Sequence, residues 1–260
     1  MILVTNDDGI HSEGISALYK AAVAVFGINN VVVVAPDGPR SASGMSLTFH
    51  KPLRVEHIEE ADFSGFATSG TPADCVFMAM YKLLKGKSID LILSGINHGS
   101  NASLQSIESS GTVSAVKFGA AHRIKGIAFS LAVEMGEHKG MFAKAAGHVE
   151  KMLKLIEKTG FPRGVDILNV NIPSNISNKT KWKICSFEPA LFKDFVIERK
   201  DPSGKKYYWL AGKPKEQFGA GTDCRVLFVD KEIAISPIEL SSVSARLKEE
   251  TARVLNAEIA

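Results

Sequence analysis

Ile2-Leu3-Val4-Thr5-Asn6-Asp7-Asp8-Gly9 opens the chain, a short strand-forming run that passes directly into two adjacent carboxylates and a glycine. A strand that is apolar almost throughout, rather than at alternate positions, is one covered on both faces, as in a parallel sheet sandwiched between helices. Asn30–Ala35, Asp90–Ser94, Gly126–Ser130 and Asp166–Ile172 repeat the pattern. The stretches between them change to helical periodicity, and the alternation of the two periods predicts an α/β protein.

The intervening helices carry their own punctuation. Ile15, Leu18, Tyr19, Ala22 and Phe26 follow Ser12, a favoured N-cap, and stop at Gly27. Val76, Phe77, Met80, Tyr81 and Leu84 follow Thr71-Pro72, a cap and a first-turn proline, and stop at Gly86. Phe142, Ala146, Val149, Leu153 and Ile156 form a third apolar stripe, and Val113, Val116 and Ala120 a fourth behind Ser110. These stripes are read as core-facing.

After Pro173 the pattern becomes alternating segments joined by turns, so residues 1–173 are read as the core and 174–260 as an appendage or an arm used in assembly. Asp201-Pro202-Ser203-Gly204 should join Phe195–Arg199 and Lys206–Leu210 into a hairpin. Arg225–Val229 and Glu232–Ile235 are expected as a second antiparallel pair, and Val243–Ala257 as a closing helix. Tyr207, Tyr208 and Trp209 lie together in the arm, as a subunit interface or as a local core cluster.

Composition removes several classes of function. With 45% hydrophobic and 23% charged residues, the 260-residue chain is an ordinary globular protein, large enough to bury a core without staples. A net charge of +3 without a Lys/Arg stripe argues against binding duplex nucleic acid. Cys75, Cys185 and Cys224 are odd in number and widely spaced, which fits reduced thiols rather than a disulfide framework or a cysteine zinc site. No basic segment leads into an apolar stretch at the amino end, and no run approaches the ~18 apolar residues of a membrane span, so a soluble cytoplasmic protein is expected. Walker A, GxGxxG, GxSxG and HExxH are all absent.

In open parallel sheets ligands bind beyond the carboxyl ends of the strands, so the loops after the strands carry the chemistry. Asp7 and Asp8 repel each other unless a cation or a cap relieves them; hard oxygen ligands of this kind suit Mg²⁺ or Mn²⁺, and the alternative is that one aspartate caps the next helix. Ala35–Gly44 offers small hydroxyls and Arg40, which could reach a metal or an anion; Ser69-Gly70-Thr71-Pro72-Ala73-Asp74 reads as a structural helix start. Ser94-Gly95-Ile96-Asn97-His98-Gly99-Ser100-Asn101 presents two amides on flexible backbone, and Ser110-Gly111-Thr112 forms either an anion cradle at a helix N-terminus or a plain cap. Of seven histidines, His98 and His11 lie near these loops.

Val4-Thr5-Asn6-Asp7-Asp8-Gly9-Ile10, Val34-Ala35-Pro36 with Arg40-Ser41, Ser69–Asp74, Ser94-Gly95-Ile96-Asn97 with Gly99 and Asn101, and Ser110-Gly111-Thr112-Val113 together resemble the SurE family, the survival-protein nucleotidases. Echoes at Asn169-Val170-Asn171-Ile172-Pro173, Tyr207-Tyr208-Trp209 and Thr222-Asp223 extend the likeness through most of the chain. The resemblance implies a Rossmann-like three-layer core and a phosphatase acting on nucleoside 5′- and 3′-monophosphates with one divalent ion, Mg²⁺ or Mn²⁺, per subunit. It implies Asp7, Asp8, Ser41 and Asn97 as metal ligands, Asn101, Ser110, Gly111 and Thr112 as phosphate-binding residues, and a homodimer or homotetramer. Ser109 departs from the family, which has an aromatic residue there. Two mechanisms stay open: attack by water with Asp7 or Asp8 accepting its proton, and an aspartyl-phosphate route. A different class, a non-catalytic nucleotide sensor, would use the same groups.

Overall fold

The structure, a computed structural model, describes residues 1–59, 63–133, 140–240, 249 and 251–254. Along the chain run β1 (Ile2–Thr5), α1 (Glu13–Phe26), β2 (Val31–Pro36), β3 (Val55–Glu59), β4 (Ser64–Thr68) and α2 (Pro72–Met78). They are followed by β5 (Leu91–His98), α3 (Leu104–Ser109), α4 (Gly111–Ala121), β6 (Lys125–Ala132), α5 (Met141–Thr159) and β7 (Ile167–Pro173). Then come β8 (Trp182–Ile184), β9 (Phe192–Lys200), β10 (Lys206–Pro214) and β11 (Ile233–Ile238). Among the described residues the strands form one nine-stranded sheet, in the order β3-β4-β2-β1-β5-β6-β7-β11-β8, and the separate ribbon β9-β10.

The five core strands expected from the sequence lie side by side and parallel, with Val4 opposite Val33 and Leu93, and Phe129 opposite Val170. Each helix layer covers one face. Ile15, Leu18 and Tyr19 of α1 pack with Phe142, Val149 and Leu153 of α5 against one side, while Val76 of α2 and Val113 and Val116 of α4 fill the other. Burial of such a side chain stabilises by about 1.5–3 kcal/mol, and this is why the strands lack a polar face. The helix starts follow their caps: the Ser12 side chain accepts from the Ile15 N–H, and Thr71 and Asp74 make a reciprocal capping box before Pro72.

β3 and β4 were not legible as strands. Their exposed edge alternates weakly, and Gly65 interrupts β4, where a Cβ would stand 2.8 Å from the Val33 Cβ. The expected pairing of Arg225–Val229 with Glu232–Ile235 is corrected. Arg225–Val229 is a helical turn, preceded by Thr222, whose hydroxyl accepts from the Arg225 N–H. An apolar run that short satisfies either period, and the cap decides it. The following strand, β11, runs antiparallel to β7 and parallel to β8, so it extends the main sheet.

The hairpin stands as expected, in longer form: β9 and β10 pair antiparallel from Lys200–Lys206 to Phe192–Pro214. The closing helix expected at Val243–Ala257 falls mostly outside the described residues, of which 249 and 251–254 are helical. Among the described residues no helix is long and apolar enough to cross a membrane.

Candidate active site

The loops singled out in the sequence meet at the carboxyl edge of β1 and β5. Asn6 organises the first of them from a fully buried position: its amide donates to the Gly9 carbonyl at 2.9 Å and to Ser12 Oγ at 2.8 Å, while its Oδ1 accepts from the Gly9 N–H. Gly9 sits at φ +100°, and a Cβ there would come within 3.0 Å of the Gly38 backbone, so the β1 and β2 loops touch only because position 9 has no side chain. With α1 capped by Ser12, neither aspartate is spent on that helix.

Asp7 points at the start of α4 instead. Thr112 donates its hydroxyl to Asp7 Oδ1, and its backbone N–H also faces the carboxylate. Gly111 lets them close up: a Cβ at 111 would lie 2.8 Å from Asp7 Cβ, 3.0 Å from Asp7 Oδ2 and 2.8 Å from Ser43 Oγ. Ser110 caps the helix, its hydroxyl accepting from the Val113 N–H at 3.1 Å. Burial pushes the Asp7 carboxyl up to about 6; Thr112 works against that rise and the neighbouring Asp8 adds to it.

Asp8 is less enclosed. Its Oδ2 accepts the His98 backbone N–H at 2.9 Å, and burial raises its carboxyl above the ordinary range while that hydrogen bond holds it down. Asp7 Oδ1 and Asp8 Oδ2 are thus each committed to the protein. Asn97 reaches this edge because β5 bulges between Ser94 and Asn97 in its register with β6. Its Nδ2 donates to the Gly99 carbonyl at 2.9 Å, which orients the amide and leaves Oδ1 as an acceptor.

The β2 loop arrives through the Arg40 backbone N–H, which donates to the Asp7 carbonyl at 2.7 Å, and the residue after it, Ser41, is exposed. The Arg40 guanidinium is paired within the protein: it binds the Asp37 carboxylate at 2.6 Å and the carbonyls of Ser69 and Gly70, locking two loops together. Ser43 was not singled out by sequence reasoning. Its buried Oγ has no partner among the described residues, and only its place in a hydroxyl-rich loop hinted at it.

Asn101 lies under the same edge, its Nδ2 donating to Ser130 Oγ at 2.8 Å with one amide hydrogen to spare. Asp7, Asp8, Asn97, Ser110, Gly111 and Thr112 are thus gathered from three loops, with Ser41 at the rim. Among the described residues no group of three or more His, Cys, Asp or Glu side chains is assembled for a metal, so a cation here would rest on two carboxylates completed by neutral oxygens.

A doubly wound sheet with an acidic pair facing a glycine-bearing helix start defines a class of α/β proteins that place charged chemistry at a strand edge. The chain belongs to the survival protein SurE family, whose model matches residues 2–194. It is 44% identical over 241 residues to the 5′-nucleotidase SurE of Picrophilus torridus, covering 92% of this chain and 90% of that one. With the 5′-nucleotidase SurE of Thermococcus kodakarensis it shares 37% identity over 263 residues, 99% of each chain. The crystal structure of the SurE protein from Aquifex aeolicus superposes with a TM-score of 0.82 at 34% identity, over 98% of this chain and 99% of that one.

Proposed function

We propose that this chain is a metal-dependent nucleotidase that hydrolyses nucleoside 5′- and 3′-monophosphates to nucleoside and phosphate. The relatives' shared name, 5′-nucleotidase, supports the activity. The observation that carries the site is the Asp7–Asp8 pair set against the Gly111 helix start, where a Cβ would fill the gap. The residues fit a divalent ion. Two carboxylates with raised proton affinity and an oriented amide oxygen at Asn97 are hard donors that one cation would satisfy together, and the orphaned buried hydroxyl of Ser43 stands beside Asp7.

Asp7, Asp8, Ser41 and Asn97 would hold one Mg²⁺ or Mn²⁺ per subunit. When bound, the ion supplies charge neutralisation at phosphorus and acidifies a water. The protein does the rest by positioning. At the buried start of α4 the Ser110 N–H is spent on the Ser106 carbonyl, so Gly111 receives phosphoryl oxygens through its backbone N–H, Ser110 through its hydroxyl hydrogen, and the free amide hydrogen of Asn101 adds a donor. Thr112 contributes by fixing Asp7. Asp8, the more accessible of the two acids, accepts the proton of the attacking water, since phosphoryl transfer asks mainly for orientation and electrostatic stabilisation.

We further assign a cytoplasmic setting, supported by three buried free thiols, and a homodimer or homotetramer joined through the β9–β10 ribbon. The ribbon exposes Tyr207, Tyr208, Trp209 and Leu210, the last 89% accessible, and two-stranded ribbons are marginal on their own. The test is phosphate release from a panel of nucleoside 5′- and 3′-monophosphates with Mg²⁺, Mn²⁺ or chelator. Turnover with metal alone supports the reading; nucleotide binding without phosphate release would replace it with a sensor.

A further inference from the structure

Three residues that the reaction does not use converge on the loop that follows β5. Asn169 and Asn171 are two apart on β7 and so share one face of the sheet, both fully buried. Asn171 Oδ1 accepts the Asn101 backbone N–H at 2.8 Å, and Asn169 Nδ2 donates to the Asn101 carbonyl at 2.9 Å. The two amides thus take hold of both polar backbone groups of a single residue, while that residue's own side chain is tied to Ser130. Burying two asparagines in a sheet is expensive when the other halves of their amides, Asn169 Oδ1 and Asn171 Nδ2, find no partner among the described residues. Packing alone asks for apolar residues there, as at the alternating Val170 and Ile172 of the same strand.

The other end of the loop is held by a carboxylate. Ser103, at φ +85°, is in a backbone region that side chains rarely adopt. Its N–H donates to Asp223 Oδ2 at 2.7 Å, and Asp223 Oδ1 accepts the N–H groups of Glu188 and Cys224 at 2.9 and 2.8 Å. Next along the chain, the Leu104 and Gln105 N–H groups donate to the carbonyls of Glu188 and Pro189. Asp223 is itself fully buried. The loop from Asn101 to Gln105 is therefore fastened by groups 68 to 120 residues later in sequence.

We propose that Asn169, Asn171 and Asp223 are positioning residues that clamp the backbone of Asn101 and Ser103 and so fix the Asn101 amide for the phosphate group. This rests on the reading of Asn101 as a phosphate donor. None of the three touches substrate. Loosening the clamp acts through Asn101, weakening phosphate contact while sparing the metal ligands Asp7, Asp8, Ser41 and Asn97, and a misplacement of about 1 Å is enough for a ~100-fold loss.

Asn171→Leu removes the acceptor from the Asn101 N–H. Asp223→Asn keeps one oxygen for Glu188 and Cys224 but turns an amide donor toward the Ser103 N–H. Each should raise KM for AMP and the inhibition constant of inorganic phosphate about 10- to 100-fold, with Mn²⁺ uptake by calorimetry unchanged. In an Asn101→Ala background, where the amide is gone, neither should raise KM further, whereas general weakening of the fold would add its full effect. Wild-type KM in both single variants, or full additivity in the doubles, overturns the clamp.

An Asn101→Ala variant with wild-type KM instead removes the phosphate reading, and the positioning role with it. Should both clamp variants fail to fold, hydrogen exchange on the wild-type chain decides. The Asn101 and Ser103 amides should be strongly protected although they lie in a loop, and exchange at unprotected rates would overturn the clamp.

Discussion

The carboxyl edge of β1 and β5 and the β9–β10 ribbon are built on opposite principles. At the edge the carboxylates and turns are held by polar groups: Asn6 braces the turn, Thr112 holds Asp7, the His98 backbone N–H holds Asp8, and Gly111 is small so that they can meet. Among the described residues the ribbon's strands form ladder pairs only with each other, and large apolar side chains are exposed on both. The edge draws its groups from loops that meet around buried carboxylates, whereas the ribbon presents exposed apolar side chains. Substitutions at the edge should therefore change chemistry with little effect on mass, and substitutions on the ribbon should change mass with little effect on chemistry.

The largest effect is expected at the acids. Asp7→Asn removes one charge of the pair and leaves the shape, and kcat/KM for AMP should fall by about 10³-fold or more while the chain remains folded by circular dichroism. Gly111→Ala comes next. Its Cβ must displace Asp7 or Ser43, for a loss of roughly 100-fold in kcat/KM and about 1–3 kcal/mol of stability by denaturant titration.

The ribbon gives the converse. Trp209→Ala together with Leu210→Ser should shift the light-scattering mass toward the single chain, leave turnover per subunit within about 2-fold, and alter the monomer's stability by about 0.5 kcal/mol or less, as surface changes do. An oligomer that survives these changes would break the contrast.

The smallest effect concerns acid stability beneath the edge. The Gly219 backbone N–H, with help from Thr222 and Lys215, holds the Glu188 carboxyl below its ordinary 4.5. A depressed carboxyl contributes stability that is present above its unfolded value and is lost as pH falls through its folded one. Glu188→Gln should therefore flatten the fall of Tm below about pH 4.5 and leave the slope near neutrality unchanged.

What could be read from the sequence follows the same division between local and distant causes. The Thr71–Asp74 capping box, the Ser12 and Ser110 caps and the five buried strands are fixed within a few residues of themselves, and they stand where local rules put them. The edge strand β3 is largely exposed and owes its place to β4, which in turn is placed by its pairing with β2. By its sequence Arg40 could reach a metal or an anion, and it is held both by Asp37, three residues before it, and by the Ser69 and Gly70 carbonyls about thirty residues away, which only the fold brings near. Ser43 and Asp223 were visible as residue types, yet their roles come from Asp7 and Ser103, which no spacing rule connects to them. The acidic pair itself was legible because a strand end and a charge conflict coincide in eight residues.

Isothermal titration of Mn²⁺ into the wild-type chain and into an Asp7→Asn/Asp8→Asn variant, with phosphate release from AMP followed on the same samples, tests the paired acids most directly. One site per chain in the wild type, with uptake and phosphate release lost together in the variant, is the predicted result. Uptake and turnover unchanged by the double substitution would contradict it.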